Sequence, residues 1–567
     1  MSPFFAQLSA VVGIATIVAF CMRLLRQPLI LAYIFAGVLL GIFRVIDVRG
    51  SETLEFLPQI GIAFLLFMVG MELDLRELRK IGKSIFSTSI LQVLITFSAV
   101  VLLGIGLGIA LKESVYLAIG LGFSSTILVV KFLTERKAVH TLYGRLAIGI
   151  LLVEDLIAVI VLMLLSIYQH TPSLTQNFVL FPFVMIVLKG AAVLYLLLFL
   201  SKRVLPWCIG LVASSTELLM LATIAWCLGF VSLTTALGFS SEIGAFLAGV
   251  ALASSPYRYQ IAGTIRPLRD FFIAIFFIDL GTRVQFFNVQ KLLGPIAIFS
   301  LFVLFSKPLI FMTILGRQGY PRFVYFMSAV TLTQVSEFSM ILAVAGSKVG
   351  HVSAEGVTMV TMVGLITMTL SSLGMTHANE LYRRFRHVLG VFEKARTVGL
   401  EKPRVERTGH VVLIGAHRIG ELIVRLLQQK SIPFVVVDSN PDIMKRLEKQ
   451  GAQTVFGSIG DPEVMDQVGL EKAKLVISTI TDLEDNENLL RELRAHRSSA
   501  KVIMAADFPL EAYELYKRGV HYVMLPYTEA GTHIVHLLDE HIGNLSFFDR
   551  QIETRMKDVL RWAKIDE

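Results

Sequence analysis

Ile150-Leu-Leu-Val-Glu-Asp-Leu-Ile-Ala158 sets two adjacent carboxylates, Glu154 and Asp155, in the middle of an apolar run. A charged side chain in hydrocarbon is costly, so an intramembrane acid faces a cavity or a partner and commonly serves transport. Burial disfavours the charged form of a carboxylate. A group held there takes either a proton or a desolvated monovalent cation, but not both, and that competition is the minimum chemistry of an exchanger. The bland reading is a buried ion pair that holds helices together, with Lys307 in Phe305-Ser-Lys-Pro308 as the natural partner. Lys307 is equally readable as a competitor that releases the carboxylate when cation binds.

Working outward, 54% apolar and 17% charged residues, with a mean hydropathy of +0.69, place much of the chain in a bilayer. At roughly 17 to 25 apolar residues per crossing, spans fall near 4–22, 28–46, 54–72, 84–110, 114–134, 145–168, 178–200, 210–231, 235–254, 267–283, 292–315, 322–346 and 354–376, thirteen in all. The first lacks a basic leader and is followed by Arg23 and Arg26, so it reads as a retained helix. Alternate loops carry seventeen Lys and Arg against six in the others. The positive-inside rule then puts the N-terminus outside and, with an odd number of spans, the C-terminal part in the cytoplasm.

Two spans are interrupted by polar clusters, Gly122-Phe-Ser-Ser-Thr126 and Thr331-Leu-Thr-Gln-Val-Ser-Glu337. Broken helices in the two halves of a transporter point to an ion site at mid-membrane. Hydroxyls and freed carbonyls near Ser125 and Thr126 would complete a cation's oxygen shell, against the alternative of Ser and Thr back-bonding within a continuous helix. Glu242 and Asp279 are further intramembrane acids that would line an access path.

Beyond His377 the composition becomes that of a soluble protein. After the basic connector Leu381-Tyr-Arg-Arg-Phe-Arg386, short β-rich runs alternate with amphipathic helices, the rhythm of a parallel doubly wound sheet. The first strand runs into Gly415-Ala-His-Arg-Ile-Gly420, and Asp438 ends the second strand where a ribose-binding acid belongs. His417 stands where a second glycine would let backbone approach a pyrophosphate, which weakens dinucleotide binding or favours a mononucleotide. The later Gly457-Ser-Ile-Gly-Asp461 turn adds to a nucleotide site made of Gly415, His417, Arg418, Gly420, Asp438 and Asp461, with NAD(H), AMP or ATP as the adenine nucleotide. The alternative is a Rossmann-like domain that only dimerises.

Other classes fit less well. The net charge of +8 is largely loop Lys and Arg set by topology, not a nucleic-acid footprint. Cys21, Cys208 and Cys227 have neither paired nor metal-ligand spacing. The soluble part offers no substrate domain, so an enzyme is not expected, and a ligand-gated cation channel would need a selectivity filter of the TVGYG kind that is missing here.

Arg26-Gln-Pro-Leu-Ile-Leu-Ala-Tyr-Ile-Phe-Ala-Gly-Val-Leu-Leu-Gly41, Phe64-Leu-Leu-Phe-Met-Val-Gly-Met-Glu-Leu-Asp74, Gly144-Arg-Leu-Ala-Ile-Gly149 and Gly244-Ala-Phe-Leu-Ala-Gly249 resemble the monovalent cation:proton antiporter-2 family, in the order found in Kef-type potassium efflux systems. The C-terminal part resembles the TrkA-N, or RCK N-terminal, domain. The resemblance implies a polytopic α-helical membrane protein with an inverted-repeat antiporter fold, followed by a C-terminal α/β Rossmann-like domain. It further implies a bacterial inner-membrane homodimer, with an ancillary regulatory subunit as a further partner, that exchanges K+ or Na+ for H+ by alternating access. By it, Asp155 matches the family's ion-binding aspartate, Ser125 and Thr126 match its unwound-helix residues, and Lys307 and Glu337 fall in its later segments. Glu154 departs from the glutamine of Kef-type proteins, and Met504-Ala-Ala-Asp507 lacks an arginine often found after strand five. The domains expected are an exchanger over 1–376, a connector over 377–408, the TrkA-N domain over 409–535 and a helical tail over 536–567.

Overall fold

The computed structural model describes residues 3–24, 27–42, 52–72, 82–136, 141–170, 199–213, 215–237, 241–253, 257–282, 289–392, 408–457 and 462–542, with isolated positions between these stretches. The chain forms two compact units, one built from Met1–Val139 and Tyr143–Val398, the other having Gly399–Glu567 as its body.

The first unit is helical: α1 Pro3–Leu24, α2 Leu29–Ile42, α3 Glu52–Glu72, α4 Lys83–Gly106, α5 Leu111–Gly122, α6 Thr126–Glu135, α7 Leu142–His170, α8 Leu205–Val212, α9 Thr216–Ala236, α10 Ser241–Leu252, α11 Arg258–Thr282, α12 Val289–Leu301, α13 Lys307–Arg317, α14 Arg322–Thr331, α15 Glu337–Lys348, α16 Ala354–Thr376 and α17 Ala378–Leu389. Each expected span overlaps one or more of these, except 178–200, most of which lies outside the described residues. Among the described residues, the segments Lys83–Gly106, Leu111–Glu135, Thr216–Ala236, Gln290–Arg317 and Ala354–Thr376 are each long and apolar enough to cross a bilayer.

Helices α2 and α3 pack on α10 and α11 through glycine. A Cβ on Gly37 would stand 2.0 Å from the Ile278 carbonyl oxygen, and one on Gly281 would stand 2.2 Å from that of Ile34. Gly70 and Gly249 repeat the arrangement, with Phe246 O at 2.3 Å and Phe67 O at 1.9 Å. Apolar side chains gain nothing from hiding in hydrocarbon, so helices in a bilayer bind by such close backbone approach. A second set of helices, α4 to α6 with α13 to α16, surrounds the two interrupted segments. Between α12 and α13 the chain makes a π-helical turn, Phe302–Ser306, just before Lys307, and Pro308 follows. Such a turn inserts an extra residue and re-aims what comes after it, here the only cation buried among the described side chains.

Both polar clusters break their helices. Phe123 (φ −85°, ψ 151°) and Ser125 (φ −76°, ψ 116°) are extended between α5 and α6, and Ser336 (φ −82°, ψ 155°) is extended before α15. Ser and Thr offer backbone groups a local alternative to the helix ladder, and here the two breaks satisfy one another. Ser336 N donates to Phe123 O at 3.2 Å, and Ser124 Oγ donates to Leu332 O at 3.0 Å.

The second unit holds a six-stranded, all-parallel sheet: β1 Val411–Ile414, β2 Phe434–Asp438, β3 Thr454–Phe456, β4 Leu475–Ser478, β5 Lys501–Ala505 and β6 Tyr522–Met524, in the order β3-β2-β1-β4-β5-β6. Every residue of β1 is buried, as expected of a strand covered on both faces. Register runs Val412 with Val435 on one side and with Val476 on the other. Helices α18 Arg418–Gln429, α19 Pro441–Lys449, α20 Pro462–Gln467, α21 Leu483–Ala495, α22 Pro509–Lys517 and α23 Pro526–His541 complete it. The order reverses between β1 and β4, and ligands of such sheets bind at that switch point.

Candidate ion-exchange site and nucleotide cleft

Successive residues on a helix diverge by about 100°, and α7 uses that divergence to give its two acids different neighbours. Glu154 is fully buried, and its Oε2 accepts the backbone N–H of Ser124 at 2.7 Å. Asp155, also buried, takes the hydroxyl of Thr126 on Oδ2 at 2.9 Å, at the first residue of α6. A helix N-terminus carries partial positive charge that favours an anion.

Lys307 is fully buried and reaches the crossing from α13. Its Nζ donates to Phe123 O at 3.0 Å and Gln334 O at 3.5 Å, carbonyls freed by the two breaks. Glu154 is its opposite-charge neighbour. Lysine thus replaces the intrahelical donors that these carbonyls lost, and glutamate balances the lysine. Ser125 lies in the first break, where its carbonyl accepts Gln334 Nε2 at 3.4 Å and its hydroxyl faces Glu337. Glu337 opens α15, is 2% exposed, and reaches into an apolar crevice lined by Ile62, Leu65, Ile127, Ile273, Phe276 and Phe277. Asp155, Glu154, Ser125, Thr126, Lys307 and Glu337 are therefore gathered at or beside the crossing. Asp279 is buried on α11, two residues before Gly281, while the side chain of Glu242 lies outside the described residues.

Reading the sequence passed over Gln92. Its Nε2 donates to Gly122 O at 3.0 Å, at the end of α5. The signal was present as a stripe of fully buried polar residues, Thr88, Gln92 and Thr96, at intervals of four along α4. That spacing holds one face toward protein and the rest toward lipid.

In the second unit Gly415 has φ +83°, and a Cβ on Gly420 would sit 2.1 Å from the Gly415 carbonyl oxygen. Only glycine gives this tight entry into α18. Thr479 Oγ1 donates to Gly415 O at 3.0 Å from the end of β4. Asp438 ends β2, accepting Ala416 N on Oδ2 and Asn440 N on Oδ1, each at 2.8 Å. Burial pushes the Asp438 carboxyl above its ordinary range, opposed by those N–H donors and by nearby His417. His417 is exposed immediately before α18, which Arg418 opens. The side chain of Arg418, and Asp461 altogether, lie outside the described residues. The glycines and the acid fit the ribose and phosphate end of a nucleotide, and the exposed His417 side chain stands where a pyrophosphate would need open backbone.

Residues 9–378 match the protein-family model described as "Sodium/hydrogen exchanger, transmembrane", and residues 411–526 match that of the TrkA-N domain. The chain is 27% identical over 481 residues to the glutathione-regulated potassium-efflux system protein KefC of Salmonella schwarzengrund, spanning 84% of this chain and 75% of that one. Among solved structures, the TrkA-N domain of the inner membrane protein ybaL from Escherichia coli is 27% identical, covering 24% of this chain and 99% of that one at a TM-score of 0.23. The sodium proton antiporter MjNhaP1 from Methanocaldococcus jannaschii is 14% identical, covering 68% and 97% at a TM-score of 0.46.

Proposed function

Because the chain belongs to the sodium/hydrogen exchanger family and carries a TrkA-N domain, we propose that it exchanges K+ for H+ at Asp155 by alternating access, in a bacterial inner membrane. The observation that carries this reading is the division of labour on α7. Glu154 holds the Ser124 N–H with Lys307 as its charge neighbour, whereas Asp155 stands at the α6 N-terminus beside the Thr126 hydroxyl. A proton on Asp155 leaves as a cation enters, and the carboxylate, the Thr126 hydroxyl and carbonyls of the break supply hard oxygen ligands. With the Glu154–Lys307 charges balanced throughout, one cation replaces one proton and the cycle moves no net charge. K+ is favoured over Na+ by the KefC likeness.

The second unit is then regulatory. Gly415, Gly420 and Asp438 hold an adenine nucleotide, and its binding biases the conformations of a homodimeric exchanger whose C-terminal part is cytoplasmic. Ligand-driven shifts of this kind are worth about 1–3 kcal/mol.

The test is proton flux in proteoliposomes holding a trapped pH dye, challenged separately with K+, Na+ and Li+, with Asp155→Asn alongside. Cation-dependent pH change that disappears in the variant supports exchange at Asp155. Cation flux without proton movement would replace the exchanger by a channel. Nucleotide titration that leaves the flux unchanged would remove the regulatory role.

A further inference from the structure

Glu337 is the first residue of α15, where an acid suits the positive end of a helix. That duty does not account for where its carboxylate goes. The side chain is buried, and its Oε2 has no hydrogen-bond partner. An acceptor buried without a donor is costly, and native structures keep few of them. Ser125, fully buried in the first break, turns its hydroxyl toward Glu337, and that oxygen too is unpartnered. The next residue, Thr126, gives its hydroxyl to Asp155 Oδ2 at 2.9 Å. Two consecutive residues of one break thus address two acids.

Glu337 also lines the apolar crevice, which has space for a water-sized molecule. The walls come from both sets of helices: Ile62 on α3 and Phe276 on α11 belong to one, Ile127 on α6 and Ile341 on α15 to the other. Arg269, also on α11, is the opposite-charge neighbour of Glu337 and is itself clasped by Asp270 at 2.8 Å. Glu337 therefore stands on the seam along which one set moves against the other in alternating access.

We propose that Glu337 carries the proton between Asp155 and the crevice, an inference that rests on exchange at Asp155. When a cation takes Asp155, its proton passes through the break, where the Ser125 hydroxyl takes one proton as it gives its own to the Glu337 carboxylate. One O–H bond breaks for each that forms. Glu337 then yields the proton to water admitted as the helix sets part and is a carboxylate again, so it ends each turnover as it began and one cation is still exchanged for one proton. Serine suits the link because a hydroxyl donates and accepts at once. The apolar walls offer a bare cation no oxygen ligands, which keeps this route for the proton.

The transport arm of the test depends on the exchanger reading; the infrared arm does not. In proteoliposomes, Glu337→Gln should lower the maximal K+-driven proton flux about tenfold or more, with the K+ concentration for half-maximal flux within about twofold of wild type, and Glu337→Asp should recover much of the rate. Because the two groups act in series, Ser125→Ala/Glu337→Gln should be no slower than Glu337→Gln alone. Unchanged flux in Glu337→Gln, a raised half-saturating K+ at unchanged maximum, or losses that multiply in the double variant would each overturn the inference. In a pH series of infrared spectra of the purified full chain, the carbonyl stretch of a protonated carboxyl should appear that Glu337→Gln removes and Asp155→Asn leaves. Its absence, with Glu337 a carboxylate throughout, overturns the inference as well. If the wild type exchanges nothing, the exchanger reading fails, and the infrared series still decides whether Glu337 takes a proton.

Discussion

Removing one member of the Glu154–Lys307 pair should hurt far more than removing both. Both side chains are fully buried at the crossing, and Lys307 donates to the Gln334 carbonyl and, alongside the Ser336 N–H, to that of Phe123. Glu154→Gln keeps an acceptor for the Ser124 N–H but leaves an ammonium without its counter-charge, and Lys307→Met leaves a carboxylate in the same position. Breaking a buried pair from one side costs about 3–5 kcal/mol, whereas replacing both partners is often nearly neutral. In the double variant the Gln334 carbonyl loses the Lys307 donor while that of Phe123 keeps the Ser336 N–H, which adds back about 1–3 kcal/mol. The coupling in a double-mutant cycle should therefore be at least about 2 kcal/mol, well above the roughly 0.3–0.5 kcal/mol scatter of independent sites. The assay is apparent melting of the purified full chain at one scan rate, for the wild type, both single variants and Glu154→Gln/Lys307→Met. Additive losses, or a double variant weaker than either single, would refute the pairing, and Glu154 would return to contention as a second exchanging acid.

Other consequences are as specific. Asp155→Asn keeps the shape of the site but can carry neither proton nor cation in exchange, so cation-driven flux should fall to the level of empty vesicles while the melting profile stays near wild type. Gly249→Val should prevent α3 and α10 from meeting, because its Cβ would lie 1.9 Å from the Phe67 carbonyl oxygen; a loss of several kcal/mol, read as failure to purify as a monodisperse species, is expected. Gly420→Ala drives a methyl into the Gly415 carbonyl, 2.1 Å from the ideal Cβ position, and should abolish adenine-nucleotide binding by calorimetry without altering basal flux. The Asp438 carboxyl, raised by burial, binds its proton more tightly folded than unfolded. Its contribution to stability is thus complete below the unfolded value and is lost as pH rises through the folded one. Relative to Asp438→Asn, wild-type stability should fall across that interval, as a pH series of melting curves would detect.

Much of this was legible from residue order alone, for identifiable reasons. The two helix breaks announced themselves because Ser and Thr clusters are poor helix interiors, and the Gly415, Gly420 and Asp438 constellation because each residue has a backbone or charge duty that few others can perform. What could not be read was which of two adjacent acids is the lysine's charge neighbour. Glu154 and Asp155 differ by one helical step, and the choice depends on how α7 is rotated against the crossing. Gln92 was missed for a different reason: its stripe with Thr88 and Thr96 marks a face turned toward protein but not what that face meets, and its partner, Gly122, lies thirty residues later.

The π-helical turn at Phe302–Ser306 makes the reading frame of that helix a functional quantity. Deleting a single apolar residue there would restore ordinary winding and turn everything beyond it by about 100°, swinging the Lys307 ammonium away from the Phe123 carbonyl without changing one side chain that touches the ion site. Such a deletion would be silent to any comparison of composition or hydropathy, yet would disarm the crossing. A compensating one-residue insertion anywhere between Leu301 and Lys307 should restore it. The helix therefore carries information in its phase as well as in its letters, and length changes in this short stretch should be far less tolerated than substitutions among its apolar residues.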